Sequence, residues 1–257
     1  MNIAILYDYL YNKITKEIFT KEDVTQYIYD IVTYLELNEY LTDVIFTDDR
    51  YVNLASYNFK DRNIKVSMKA IINEAKMMIN NMKSKSSMVL KINLFILESL
   101  IHEIHHVYHN YLISDTELPI SQIFYNELSY FYLDDSEHQK AYEDYYSMLI
   151  FERDANISAI ENILRIIQKY AKNDEVFEFY LSELKKFILT GYSVDNGKVI
   201  SPIEAVYKDL LHYDLFSVDN IDLYDRLKLG FQVSKDEIEY FKDNSDTILL
   251  TKNNLHI

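Results

Sequence analysis

The chain reads as an α+β protein, predominantly helical, and three features of the sequence carry that expectation. Three glycines and two prolines among 257 residues leave few helix breakers. Apolar residues recur at helical spacing over most of the length, with Val24, Tyr27, Ile28, Ile31, Val32 and Leu35 as one clear stripe. Between Leu41 and Ser67 the period changes to short β-branched or alternating runs, which is where a small sheet belongs.

In chain order, residues 1–40 are expected to form two helices, broken near Thr20 to Asp23 and packed on a core that spans 41–171. Val44 to Thr47, Val52 to Ser56 and Ile64 to Ser67 are the expected strands. Asp61-Arg62-Asn63 turns between the last two, so the sheet ends antiparallel. Met68 to Met82 returns to helical period through Ile71, Ile72, Ala75, Met78 and Ile79. Lys83 to Ser87 is a polar break, and the next helix runs from about Met88 to Leu112. Pro119 closes this unit in a loop, and Ile120 to Leu133 has the pattern of a short tyrosine-rich helix. Ser136-Glu-His-Gln139 has the spacing of a capping box, so a long helix should start there and run to about Ala171. Residues 172–257 form a mostly helical C-terminal part. Its first helix covers Asp174 to Leu189 and is stopped by Gly191. A hairpin follows near 192–200 around Asn196-Gly197, and further capping boxes start at Ser201 and Ser234.

Composition narrows the function classes. With 49% hydrophobic and 14% aromatic residues the chain can bury a substantial core. A net charge of -15 disfavours a phosphate-binding surface and hence a nucleic-acid reader; a basic or neutral partner suits it better. Cysteine is absent, so any bound metal must be held by nitrogen and oxygen. The first residues lack the basic start and sustained apolar run of a secretory signal, and no run reaches the roughly 18 apolar residues of a membrane span. The expectation is a soluble cytoplasmic protein with no membrane partner.

The stretch from Leu97 to His109, L-E-S-L-I-H-E-I-H-H-V-Y-H, carries the chemistry. It contains H-E-x-x-H as His102, Glu103 and His106, set in an apolar pattern of Leu97, Leu100, Ile101, Ile104, Val107, Tyr108 and Tyr111. At about 100° per residue, His106 lies about 40° around the helix from His102 and one turn on, so both imidazoles can face one divalent cation. Glu103 falls to the side of the pair, where a carboxylate can act as general base on a water without being a ligand. Four of the seven histidines, His102, His105, His106 and His109, fall in this stretch. His105 and His109 are expected to support the ligands or to lie on the surface.

A catalytic zinc takes three protein ligands and keeps one position open. The third must be His, Glu or Asp from elsewhere. On the long helix from Ser136, Glu152 shares a face with Ala155, Asn156 and Ala159. Two alanines beside a carboxylate allow a close approach to the first helix, and Asn156 is placed to hydrogen-bond a ligand histidine. Asp154, Glu143 and Asp144 compete with Glu152 for the role, although Asp154 faces away from it by about 160°.

With both patterns in hand, the chain resembles the gluzincin metallopeptidases, in which H-E-x-x-H is completed by Glu in an E-x-x-A-[DN] pattern on a later helix, here Glu152 to Asn156. The layout looks most like the ImmA/IrrE-type peptidases and small phage or bacterial gluzincins, over about residues 41–165. The resemblance implies a zincin-like core and Zn2+ held by His102, His106 and Glu152, with Glu103 as the base. It also implies an edge strand near Ile64 to Ser67 to which an extended peptide adds. The function so implied is hydrolysis of peptide bonds in a protein or peptide substrate. Tyr192, Tyr145, Arg153 and His212 are candidates, by residue type alone, for a further donor to the developing oxyanion. A different class of reading is a non-catalytic regulatory or interaction protein that keeps the zincin fold and metal site and uses its C-terminal helices to bind a protein partner.

Overall fold

The computed structural model describes residues 3–48, 54–78, 85–114, 150–189, 193–195 and 198–200. Helices dominate them, with a three-stranded sheet and a separate two-stranded one. Two compact units are present: Met1–Tyr111 with Ala155–Leu184, and Leu112–Asp154 with Lys185–Ile257.

The first unit begins with α1 (Asp8–Tyr11), one turn rather than a full helix, and α2 (Lys21–Tyr34). The break between them spans residues 12–20 rather than Thr20 to Asp23, and it ends at Thr20, the N-cap of α2. α2 starts at a capping box with Asp, rather than Glu or Gln, at N3. The Thr20 hydroxyl accepts from the Asp23 amide at 3.3 Å, and Thr20 N donates to Asp23 Oδ2 at 2.9 Å. Asp23 also takes the Lys13 ammonium at 2.8 Å.

The sheet consists of β1 (Asp43–Phe46), β2 (Ala55–Asn58) and β3 (Asn63–Val66). Its order is β1-β3-β2, with β1 parallel and β2 antiparallel to the strand between them. The antiparallel end is as expected, but two expectations need correction. The second strand covers Ala55–Asn58 and so runs past the expected end at Ser56, because its partner register pairs Ala55 with Val66 and Asn58 with Asn63, while Val52 and Asn53 lie outside the described residues. β3 is the central strand, not an edge; both its sides are already hydrogen-bonded, so no peptide can add there. Val44, Phe46, Ala55, Tyr57, Ile64 and Val66 share one face, and Ile64 and Val66 are fully buried on it.

α3 (Met68–Met78) presents Met68, Ile71 and Ala75 inward. α4 (Lys85–Ser114) then runs for 30 residues and starts inside the expected polar break, three residues before Met88. Leu90, Ile92, Leu94, Ile96, Leu97, Leu100, Ile101, Ile104 and Val107 are all buried along it. Those positions lie all round the helix, which marks it as the central rod of the unit. α5 (Ile150–Ile166) continues into one π-helical stretch, Ile167–Ala171, and ends at left-handed Lys172. α6 (Asp174–Leu189) matches its expected bounds. The expected loop at Pro119, the short helix over Ile120 to Leu133, the helix start at Ser136 and the capping boxes at Ser201 and Ser234 lie outside the described residues. By itself, the second unit contributes an antiparallel hairpin of β4 (Ser193–Asp195) and β5 (Lys198–Ile200), in which Asp195 pairs with Lys198 across the Asn196-Gly197 step. Among the described residues, no helix is long and apolar enough to cross a membrane.

Two buried asparagines wire the N-terminal segment to the helices. Asn93 on α4 accepts from Phe19 N at 3.0 Å and donates to Ile14 O and Glu17 O at 3.0 and 2.8 Å. Asn162 on α5 accepts from Ile3 N at 2.8 Å and donates to Ser158 O at 2.7 Å. An amide has both donors and acceptor, so one side chain satisfies several backbone groups that helices and strands leave over. Asn93→Ala should therefore cost about 2–4 kcal/mol of stability in urea unfolding, because buried backbone groups lose their partners.

Burial by itself raises the Asp23 carboxyl, but hydrogen bonds from Lys13 and Thr20 outweigh it and hold it below the usual carboxylate range. A carboxylate whose pKa falls on folding contributes stability above the unfolded value of about 3.9 and loses it as pH drops through the folded value. The stability gap between the wild-type chain and Asp23→Asn should accordingly be open at pH 7 and narrow steadily below about pH 4 in the same urea measurement.

Candidate metal centre

The central helix α4 places His102 and His106 one turn apart with their rings 4.6 Å between centroids and nearly perpendicular, at 85°. Their Nε2 atoms approach to 3.0 Å. Two zinc–nitrogen bonds of about 2.0–2.1 Å opening a tetrahedral angle would hold two nitrogens about 3.3 Å apart, so the pair is already close to chelating distance. Glu152, in the first turn of α5, joins them: one donor atom from each of His102, His106 and Glu152 lies within 4.8 Å of the others. This group could hold a metal ion.

The three donors differ in exposure. His106 and Glu152 are buried, at 4% and 2%, whereas His102 is half-buried. A carboxylate taken out of water needs compensation by charge or hydrogen bonds, and a divalent cation shared with two imidazoles is one such compensation. Two imidazoles and a carboxylate, with no thiolate in the chain, suit a divalent transition-metal ion. Three ligands leave one of four tetrahedral positions for water or substrate.

Glu103 is also buried, at 5%, and stands outside the convergent group. Ala155 and Ala159, on the same face of α5 as Glu152, are buried at 0% and 1%, and Asn156 between them is half-buried. The side chains of Arg153 and Asp154 lie outside the described residues, as do Glu143, Asp144, Tyr145, Tyr192 and His212.

Sequence reasoning missed one wall of the site. Phe59, in the turn after β2, packs against His106 with ring centroids 5.9 Å apart. The turn is pinned to α4 by Asn110, whose amide donates to Tyr57 Oη at 2.7 Å and to Phe59 O at 3.3 Å. Tyr57 in turn donates to Tyr40 O at 2.6 Å. Burial pushes the Tyr57 hydroxyl up to about 12, so it keeps its proton at neutral pH and serves as acceptor and donor together. The only sequence trace of this wall is Asn110 directly after the histidine run.

His105 and His109 are not surface groups. They are buried at 2% and 0%, on the part of α4 that faces the interior, whereas His102, Tyr108 and Asn110 on the same stretch are half-buried. His109 Nδ1 lies 3.2 Å from His106 Nδ1.

Compared with known protein families, curated proteins and solved structures, the chain matches none of them.

If the cluster is a metal site, Zn2+ at 100 times its dissociation constant should stabilise the wild-type chain by about 2.7 kcal/mol. His106→Ala and Glu152→Ala should remove most of that gain. Thermal unfolding with and without Zn2+, after removal of metal by a chelator, provides the measurement.

Proposed function

We propose that the chain is a zinc-dependent metallopeptidase of gluzincin type, with His102, His106 and Glu152 as ligands and Glu103 as general base. The observation that carries this reading is the meeting of the His102–His106 pair with a carboxylate from a different helix. Zinc, when bound, supplies Lewis acidity that polarises a scissile carbonyl and brings the pKa of a water to about 7.

The chain's own residues do the rest. Glu103, next to His102 on α4, takes the proton of the attacking water and later returns it to the leaving amine. Its burial strengthens the charge interactions through which it works. His106 is held from one side by Phe59 and its turn, which keeps water away from that flank of the ligand. Half-buried His102 marks the side from which substrate enters.

An extended substrate can pair only with an edge strand. β1 and β2 are the two edges, and β2 leads into the turn that carries Phe59, so β2 takes the role that the resemblance assigned to β3. The net charge of -15 favours a basic or neutral protein or peptide as substrate.

Glu103→Gln should retain zinc, measured by metal analysis, and lose about 10²–10⁴-fold in hydrolysis of a quenched fluorescent peptide library. Unchanged hydrolysis in that variant would sink the reading. Treatment with a chelator should abolish cleavage, and stoichiometric Zn2+ should restore it.

A further inference from the structure

The run of imidazoles continues past the candidate ligands. His106 has Nε2 at 3.0 Å from His102 Nε2 and Nδ1 at 3.2 Å from His109 Nδ1. His109 is fully buried, and the buried ring of His105 meets it edge-on, with centroids 4.6 Å apart at 89°. Enclosed in this way, His109 has no room to turn toward solvent.

The inference rests on the metal-centre reading. A neutral imidazole that gives its Nε2 lone pair to a metal carries its proton on Nδ1, and in a buried site that N–H needs an acceptor. We propose that His109 is the positioning residue of the centre. Its Nδ1 accepts from His106 Nδ1–H, fixing the tautomer and ring plane of His106 so that Nε2 points into the space shared with His102 and Glu152. His109 then holds its own proton on Nε2, on the side away from His106.

Carboxylates and backbone carbonyls commonly fill this role, and a carboxylate makes the ligand more basic. A neutral imidazole orients the ligand without adding negative charge. Glu152 remains the one anionic ligand of the group, and the bound cation stays more electrophilic than it would beside a second carboxylate.

The test uses the full chain as wild type, His109→Phe and His109→Asn. Phe keeps a ring but removes the acceptor; Asn places Oδ1 where Nδ1 stood. Zn2+ affinity is read by competition with a chromophoric chelator, and circular dichroism checks folding. The tautomer of His106 is read by long-range 1H–15N correlation in the zinc-loaded protein. His109→Phe should bind Zn2+ about 10–100-fold more weakly, and His109→Asn should recover most of that loss. The loaded wild type should show the His106 proton on Nδ1. Equal affinity in His109→Phe, or an Asn variant as weak as Phe, would overturn the role of His109 alone. Should His109→Phe fail to fold, a His106 coordinated through Nδ1 in the loaded wild type overturns it just as well. Failure of the wild type to bind Zn2+ would overturn the metal reading beneath it.

Discussion

A buried imidazole costs free energy unless something within reach satisfies it, and α4 carries three of them, His105, His106 and His109, beside half-buried His102. The rest of the site depends on how this constraint is met. Helical spacing sets His102 against His106 and His105 against His109 at i,i+4, each pair with centroids 4.6 Å apart, and joins the pairs through His106 and His109 at i,i+3. His102, His106 and His109 thus meet nitrogen to nitrogen along a single rod, and His105 packs its ring edge-on against His109. One member, His106, has a ring nitrogen facing each way.

A rod of this kind can hold a ligand geometry only if it is itself held. Side-chain amides do much of that: Asn93 ties it to the N-terminal loop, and Asn110 ties it to the turn between β2 and β3. Lys91, buried on the same helix, sets its ammonium 3.5 Å from the centre of the Phe179 ring and donates to Met78 O at 3.2 Å, the carbonyl that ends α3. These contacts reach α4 from the N-terminal loop, from α3, from the sheet and from α6. Rotation of the helix about its axis would break all of them together. His102 and His106, one turn apart on it, inherit that rigidity.

Much of this was legible because it is local. Periodicity placed α2, α3, α4 and α6 to within a few residues, and the Asn-Gly step placed the hairpin between β4 and β5. The pairing of His102 with His106 follows from helical spacing alone. Where the reading slipped, the deciding contacts were remote or chemically near-equivalent. Asp23 closes the box at Thr20 as Glu would, since a carboxylate one carbon shorter still reaches the cap amide. The register of β2 depends on its pairing with β3, and the central place of β3 on its pairing with β1 as well, neither of which the alternation of Ile64 and Val66 encodes.

By itself, the sequence determined the helical character of the chain and the one-turn spacing of two imidazoles with a carboxylate beside them. It also determined that any metal would meet nitrogen and oxygen rather than sulfur. Those properties belong to single elements, where neighbours along the chain are neighbours in space. Tertiary structure alone decided that Phe59 closes one flank and that His109 is sealed behind His106. Both depend on which surfaces the folded chain brings together or shuts from water, and no local pattern specifies that; for Glu152 the alanines beside it nominated the residue, and the fold brought it to the pair.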